Sequence, residues 1–323
     1  MRPPPARRPL RIVLAVALTT ITAGCISSNA SVPGGSLAES ASLKGATFTV
    51  GSKEFTEQRI LCHITSLALR SAGATVREKC GLQGSDTARA ALRSGSIDMY
   101  WEYTGTAWTN HLEHTERIKD AVQQYQEVAK EDLTKNHVKW LARAPANNTY
   151  AIGVKPTTAD ELGITSISDY ARLVHTDPSK ASMCVASEFA GRSDGWPGLQ
   201  KAYGFQLPDA SLTTLAEGNL YDAIAKGDAC NFGEITTTDG RIRAFGLTVL
   251  KDDKTFFPIY NPALTVRESV YNDHPELAKI AKPLALALTN DVLRQLNTDV
   301  DVNKKDETKV AETWLQDKDF IGK

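Results

Sequence analysis

The stretch ATFTVGSKEFTEQRILCHITSLALRSAGATVREKCGLQGSDTARAALRSGSIDMYW, residues 46–101, changes its apolar period several times. Ala46–Val50 reads as a strand. From Glu57 to Ala72 the apolar residues Ile60, Leu61, Ile64, Leu67 and Ala68 recur at helical spacing, with Thr56 placed to cap the start. Ala74–Glu78 returns to a strand pattern. Asp86–Ser94 is helical and ends at Gly95, and Ile97–Trp101 is strand-like again. Strand, helix, strand, helix, strand is the pattern of βαβ units on a parallel sheet.

The pattern restarts further along. Thr149–Val154, Ala181–Ala186 and Cys230–Ile235 read as strands, and Ser168–Val174 and Leu220–Lys226 as helices. Two later strand-like runs, Leu247–Leu250 and Ala263–Val266, precede helical segments over Pro275–Leu296 and Lys305–Leu315. The pattern predicts an α/β protein of two lobes, each a mainly parallel sheet flanked by helices. One lobe is expected over residues 45–149 and 245–323, the other over 150–244. Ligands of open parallel sheets sit beyond the carboxyl ends of the strands, so a cleft between the lobes is the expected site.

Composition narrows the function. The chain has 323 residues, 41% hydrophobic and 23% charged, with 37 Lys+Arg against 38 Asp+Glu. That balance lacks the basic excess of a nucleic-acid binder. No G-x-S-x-G, Walker A or G-x-G-x-x-G motif occurs, and the six His residues are scattered. No cofactor, metal or catalytic residue is assigned. An enzyme in the cleft stays open as an alternative, drawing on Asp98, Glu102, Asp194 and Asp239 as carboxylates. An adhesion or sensory module is a further one.

The N-terminus reads as an export signal over residues 1–24. Arg2, Arg7, Arg8 and Arg11 precede an apolar stretch from Ile12 to Ile21 that ends in Thr22-Ala23-Gly24-Cys25. Small residues before a cysteine resemble a bacterial lipobox, with Thr22 where Leu is usual. The resemblance predicts a lipid on Cys25 and a location on the outer face of the cytoplasmic membrane; plain secretion with Cys25 unmodified is the alternative. Residues 25–44, with a Ser/Ala/Gly stretch over 27–42, read as a flexible tether. Four further cysteines, Cys62, Cys80, Cys184 and Cys230, favour disulfides in an oxidising compartment. Of three connectivities, pairing within each lobe gives Cys62–Cys80 and Cys184–Cys230.

Gly51–Gln58, Glu102–Thr106, Ala144–Tyr150, Ser187–Gly195, Thr238–Ile242 and Val266–Ser269 together resemble the glycine betaine/choline-binding proteins of osmoprotectant ABC importers. The matches run in order over about residues 46 to 320. The resemblance implies a type II periplasmic-binding-protein fold, a small quaternary-amine ligand, membrane permease subunits as partners, and a monomer. It implies that Tyr103, Tyr150 and Tyr221 belong to a ring cage around a trimethylammonium head. It also implies that Lys53, Thr106 and Arg192 hold a carboxylate tail. The fourth cage aromatic of the family falls at Thr236 here, so the cage is either open on that side, completed by another ring such as Trp101, or fitted to another solute. Choline, carnitine, ergothioneine and a hydrophobic solute are the competing ligands.

Overall fold

The computed structural model describes residues 32–323. Cys25 and the export signal lie outside the described residues. Four strands open the chain: β1 (Thr47–Lys53), β2 (Thr75–Leu82), β3 (Met99–Tyr103) and β4 (Val138–Arg143). The next five are β5 (Tyr150–Val154), β6 (Met183–Val185), β7 (Leu212–Thr214), β8 (Phe232–Thr236) and β9 (Thr248–Val249), and β10 (Pro262–Arg267) follows. They form two five-stranded sheets, ordered β2-β1-β3-β10-β4 and β7-β6-β8-β5-β9. In the first sheet β10 runs antiparallel to both neighbours, and in the second β5 does so. β2-β1-β3 and β7-β6-β8 are parallel. This is the two-lobed α/β architecture of type II binding proteins.

Each lobe has its own apolar core. In the first, Phe48 and Val50 pack with Ile60, Leu61 and Ile64 of the helix Thr56–Ser71 and with Leu293 and Leu315 of the C-terminal helices. In the second, Ile152, Tyr170, Phe189, Leu199 and Phe232 form a separate cluster. Cys62–Cys80 joins the helix Thr56–Ser71 to β2, and Cys184–Cys230 joins β6 to the turn before β8. Each bond lies within its own lobe.

Several local expectations need correction. The run Leu247–Leu250, read as the return to the first lobe, holds β9, which pairs Thr248 with Val154 and Val249 with Gly153 of the second sheet. The return therefore falls between β9 and β10, not at residue 245. Part of the expected tether is docked: Ser36–Ser40 is a short helix, Leu37 is buried, and Gly34 bridges to Ile321. Leu37, Ala41 and Leu43 supply apolar surface that outweighs the flexible composition around them. Thr56 does not cap its helix; Phe55 occupies that position and the Thr56 hydroxyl bonds Asp301 at 2.7 Å. The long C-terminal helix is two, Leu277–Ala287 and Asn290–Asp301, because the Thr289 side chain caps a new start by accepting from Val292 N–H.

Two segments cross between the sheets, residues 144–149 and 250–261. They are bonded to each other. Asn148 N–H donates to Tyr260 O at 3.0 Å, Tyr260 N–H to Asn147 Oδ1 at 2.7 Å, and Asn261 Nδ2 to Ala146 O at 2.5 Å.

Candidate functional site

The carboxyl ends of β1, β3, β6 and β8 face one cavity of about 440 Å³. β5 runs the other way, so its first residue, Tyr150, joins them there. Lys53 ends β1 and Tyr103 ends β3, with Thr106 one turn beyond. Thr236 ends β8 directly opposite Tyr150 in the ladder. Lys53, Tyr103, Thr106, Tyr150, Arg192 and Thr236 all line this cavity.

The first lobe presents a paired wall. Lys53 Nζ, 3% exposed, donates to Glu102 Oε1 at 2.6 Å and stands 5.2 Å from the centre of the Tyr103 ring. Glu102 also receives Tyr100 Oη at 2.8 Å and the Tyr103 N–H at 2.7 Å, and meets His111 Nε2 at 3.0 Å. Burial raises the Glu102 carboxyl, but the Lys53 charge and the His111 contact outweigh it and hold it well below the ordinary range. Tyr103 Oη donates to Glu57 at 2.8 Å, which fixes the ring. Glu57 is itself fully buried and takes three more donors, from Asn148, Thr238 and Asn297. Phe55 stacks on Tyr103 at 6.2 Å and also lines the cavity.

The second lobe is more acidic. Arg192 donates Nε and Nη2 to the two oxygens of Asp194, at 2.7 and 2.6 Å, and Nη1 to Glu188 at 2.6 Å. Its Nη2 also reaches Thr106 Oγ1 of the first lobe at 3.4 Å. Burial opposes the Arg192 charge, but Tyr150 and Asp194 raise it well above its ordinary value, so it stays charged. Four N–H contacts leave one of the five guanidinium donors unassigned, and Lys53 keeps two of three. Tyr150 packs against Phe189 at 4.9 Å and edge-on to Tyr260 at 5.2 Å. Glu217 and Glu234 complete the wall. Desolvation in the cleft, with Asp239 and Glu54 adding repulsion, pushes the Glu217 carboxyl up to about 8.

Contacts close across the cleft. Glu188 of the second lobe accepts from Ser85 N–H at 3.0 Å and Ser85 Oγ at 2.6 Å, at the start of the helix Gly84–Arg93. That helix has no cap of its own from Gln83. A carboxylate at a helix N-terminus meets unpaired N–H groups and the positive dipole end. Thr109 Oγ1 donates to Asp194 Oδ2 at 2.6 Å, a second bridge.

Two of the expected rings stand elsewhere. Tyr221 lies behind the wall: its hydroxyl accepts from Thr236 N–H at 3.0 Å, and the Arg241 guanidinium covers its ring at 4.2 Å. Trp101 faces the core, where its Nε1 donates to Thr65 Oγ1 at 2.8 Å, because its neighbours Tyr100 and Glu102 take the other face of β3. Phe55, Tyr260, Glu217 and Glu234 were not singled out from sequence. Phe55 and Glu188 sit inside the matched motifs, and Tyr260 sits on the return crossing, where no periodic signal marks it. The carboxylates weighed for an enzyme are separately paired: Asp98 with Arg267, Glu102 with Lys53, Asp194 with Arg192 and Asp239 with Arg241.

The family model for the substrate-binding domain of ABC-type glycine betaine transport systems, OpuAC, matches residues 46–317. The chain is 38% identical over 276 residues to a glycine-betaine-binding protein of Pseudomonas aeruginosa, covering 84% of this chain and 88% of that one. It is 36% identical over 274 residues to the glycine betaine-binding protein YehZ of Escherichia coli K12, covering 83% and 90%. The solved apo structure of YehZ superposes with a TM-score of 0.62 at 34% identity, covering 85% of this chain and all of that one.

Proposed function

We propose, from the premise that the chain belongs to the family of substrate-binding domains of ABC-type glycine betaine transport systems, that it captures a small quaternary-ammonium solute, glycine betaine first, and delivers it to an ABC permease. The observation that carries this reading is the ring wall. Tyr103, Phe55, Tyr150 and Tyr260 lie around one cavity beside the Lys53, Thr106 and Arg192 donors. A trimethylammonium head donates no strong hydrogen bond, and each aromatic face contributes about 0.5–2 kcal/mol to holding it. The free donors of Lys53 and Arg192 and the Thr106 hydroxyl suit the carboxylate of a betaine. A ligand touching both lobes stabilises the closed state, because only there are all contacts made.

A second reading takes choline or another cation without a carboxylate. Its support is that Lys53 and Arg192 already have protein carboxylates as partners, while Glu217 and Glu234 have no ion pair among the described residues. Carnitine and ergothioneine share the cationic head and remain within the panel to be tested. No reaction is proposed for the cleft. Calorimetric titration with glycine betaine, choline, carnitine and ergothioneine is the test, and binding of none of them would sink the reading.

The protein acts outside the cytoplasmic membrane, as a monomer held by a lipid on Cys25. No described helix is long and apolar enough to cross a membrane. Cys25→Ser should release the protein from the membrane fraction; unchanged retention would rule the anchor out.

A further inference from the structure

Glu234 is a buried carboxyl on the cleft wall that forms no ion pair among the described residues. It is 3% exposed and shares the Thr236 face of β8, since alternate residues of a strand point the same way. Thr236 pairs across the ladder with Tyr150, so Glu234 stands one step down the strand from the ring wall. Its Oε2 accepts from Ala186 N–H at 2.7 Å. Among the described residues nothing donates to Oε1, and no cationic side chain forms an ion pair with the group. The other buried acids differ. Glu102 has Lys53, Asp132 has Arg89, Asp194 has Arg192 and Asp239 has Arg241, while Glu57 has no cation but takes four neutral donors, from Tyr103, Asn148, Thr238 and Asn297.

An isolated buried charge is costly, and the group either neutralises itself or meets an opposite charge. Several titratable groups share the cavity wall with Glu234, Lys53 at the end of β1 among them. Glu217 comes from the helix Glu217–Lys226, Glu188 and Arg192 from the segment after β6, and Tyr150 from β5. Burial holds the Glu234 carboxyl well above its ordinary range; the Ala186 N–H opposes this, Glu217 and Glu188 add to it, and Arg192 opposes it.

We propose that Glu234 is the counter-ion of the bound quaternary-ammonium head, uncharged in the empty cleft and releasing its proton to solvent as the head arrives. This rests on the functional reading above. The cation lowers the proton affinity of the carboxyl, so ligand affinity rises with pH between the bound and the free titration points. The selected class is then any small solute with a fixed, proton-independent positive charge, since such a head brings charge without a proton of its own.

Calorimetry of the full mature chain with glycine betaine and with choline tests this, in buffers of different ionisation enthalpy and across pH. The wild type should release a fraction of a proton per ligand bound and bind more weakly as pH falls. Glu234→Gln should bind about tenfold more weakly at high pH, with most of the proton release and pH dependence lost. Glu234→Asp should restore part of both, and Glu217→Gln should still release a proton on binding, over a lower pH range, because Glu217 adds to the proton affinity of Glu234. If the wild type binds neither ligand, the functional reading fails and this inference with it. If the wild type binds but Glu234→Gln matches it in affinity and proton release, the role of Glu234 alone is overturned. The same holds if Glu217→Gln, and not Glu234→Gln, abolishes the proton release.

Discussion

In the first sheet the late strand β10 lies between β3 and β4, antiparallel to both; in the second, β5 lies between β8 and β9 in the same sense. Each is the first strand laid down after a crossing. The two lobes thus share one plan and place equivalent strand ends on the cleft, yet they settle their charges differently. The first lobe pairs Lys53 with Glu102 inside itself and fastens Tyr103 to Glu57. The second pairs Arg192 twice and leaves Glu217 and Glu234 without an ion pair among the described residues. On the proposed function, one wall is finished before a ligand comes and the other is completed by it.

That contrast is open to attack by substitution. The largest effect is expected at Arg192. Arg192→Ala leaves Asp194 buried without its partner, which should cost about 3–5 kcal/mol of stability in thermal or denaturant unfolding. The same change should weaken glycine betaine more than choline, since only betaine offers a carboxylate. Equal losses for both would show that Arg192 serves the lobe and not the ligand.

The disulfides come next. Cys62–Cys80 closes 18 residues and Cys184–Cys230 closes 46. Loop entropy assigns about 3 kcal/mol to the first and about 4 kcal/mol to the second. Paired Cys→Ala variants should therefore lower the melting temperature more in the second lobe, and the reverse order would place residual structure or strain above chain entropy.

Ring removal is a smaller change, read in affinity. Tyr150→Ala and Tyr103→Ala should each weaken a quaternary amine by about 1–2 kcal/mol in titration calorimetry. Tyr103→Ala also takes one of its donors from the buried Glu57 carboxylate, so its stability should fall further than that of Tyr150→Ala. Tyr221→Ala should act mainly on stability, because its ring lies behind the wall under Arg241. The smallest expected change is a gain. Thr236→Tyr adds a ring opposite Tyr150 and should tighten binding by up to about 1 kcal/mol. No change there would mean that Phe55 and Tyr260 already close the cage.

The alternating segments of both lobes were legible because their apolar periods are regular. The helix Ala121–Asn136 and β4 were not. The buried face of that helix carries Gln124 and Asp132 beside Val128, so it shows little apolar periodicity. Their partners exist only in the fold: Gln124 Nε2 donates to Thr104 Oγ1 and Ile259 O, while Asp132 accepts from Arg89 and Trp140. At the site, the motifs brought six of seven expected residues to one cavity. They did not reveal which way a ring faces. Tyr221 turned away because its hydroxyl serves the Thr236 backbone, and Glu234 went unmarked because one acid in an apolar strand looks like ordinary alternation.

The paired crossings have a mechanical consequence. Two straps side by side, stitched by Asn148 N–H to Tyr260 O and by Asn261 Nδ2 to Ala146 O, form a ribbon and not two independent cords. A ribbon bends readily across its width but resists shear and rotation about its length. Such a ribbon favours one soft coordinate between the lobes, and opening along it would break the Ser85–Glu188 and Thr109–Asp194 bridges together. Cutting one stitch, as in Asn261→Ala, would turn the flexure into a swivel, and the surface offered to the permease would lose its fixed alignment.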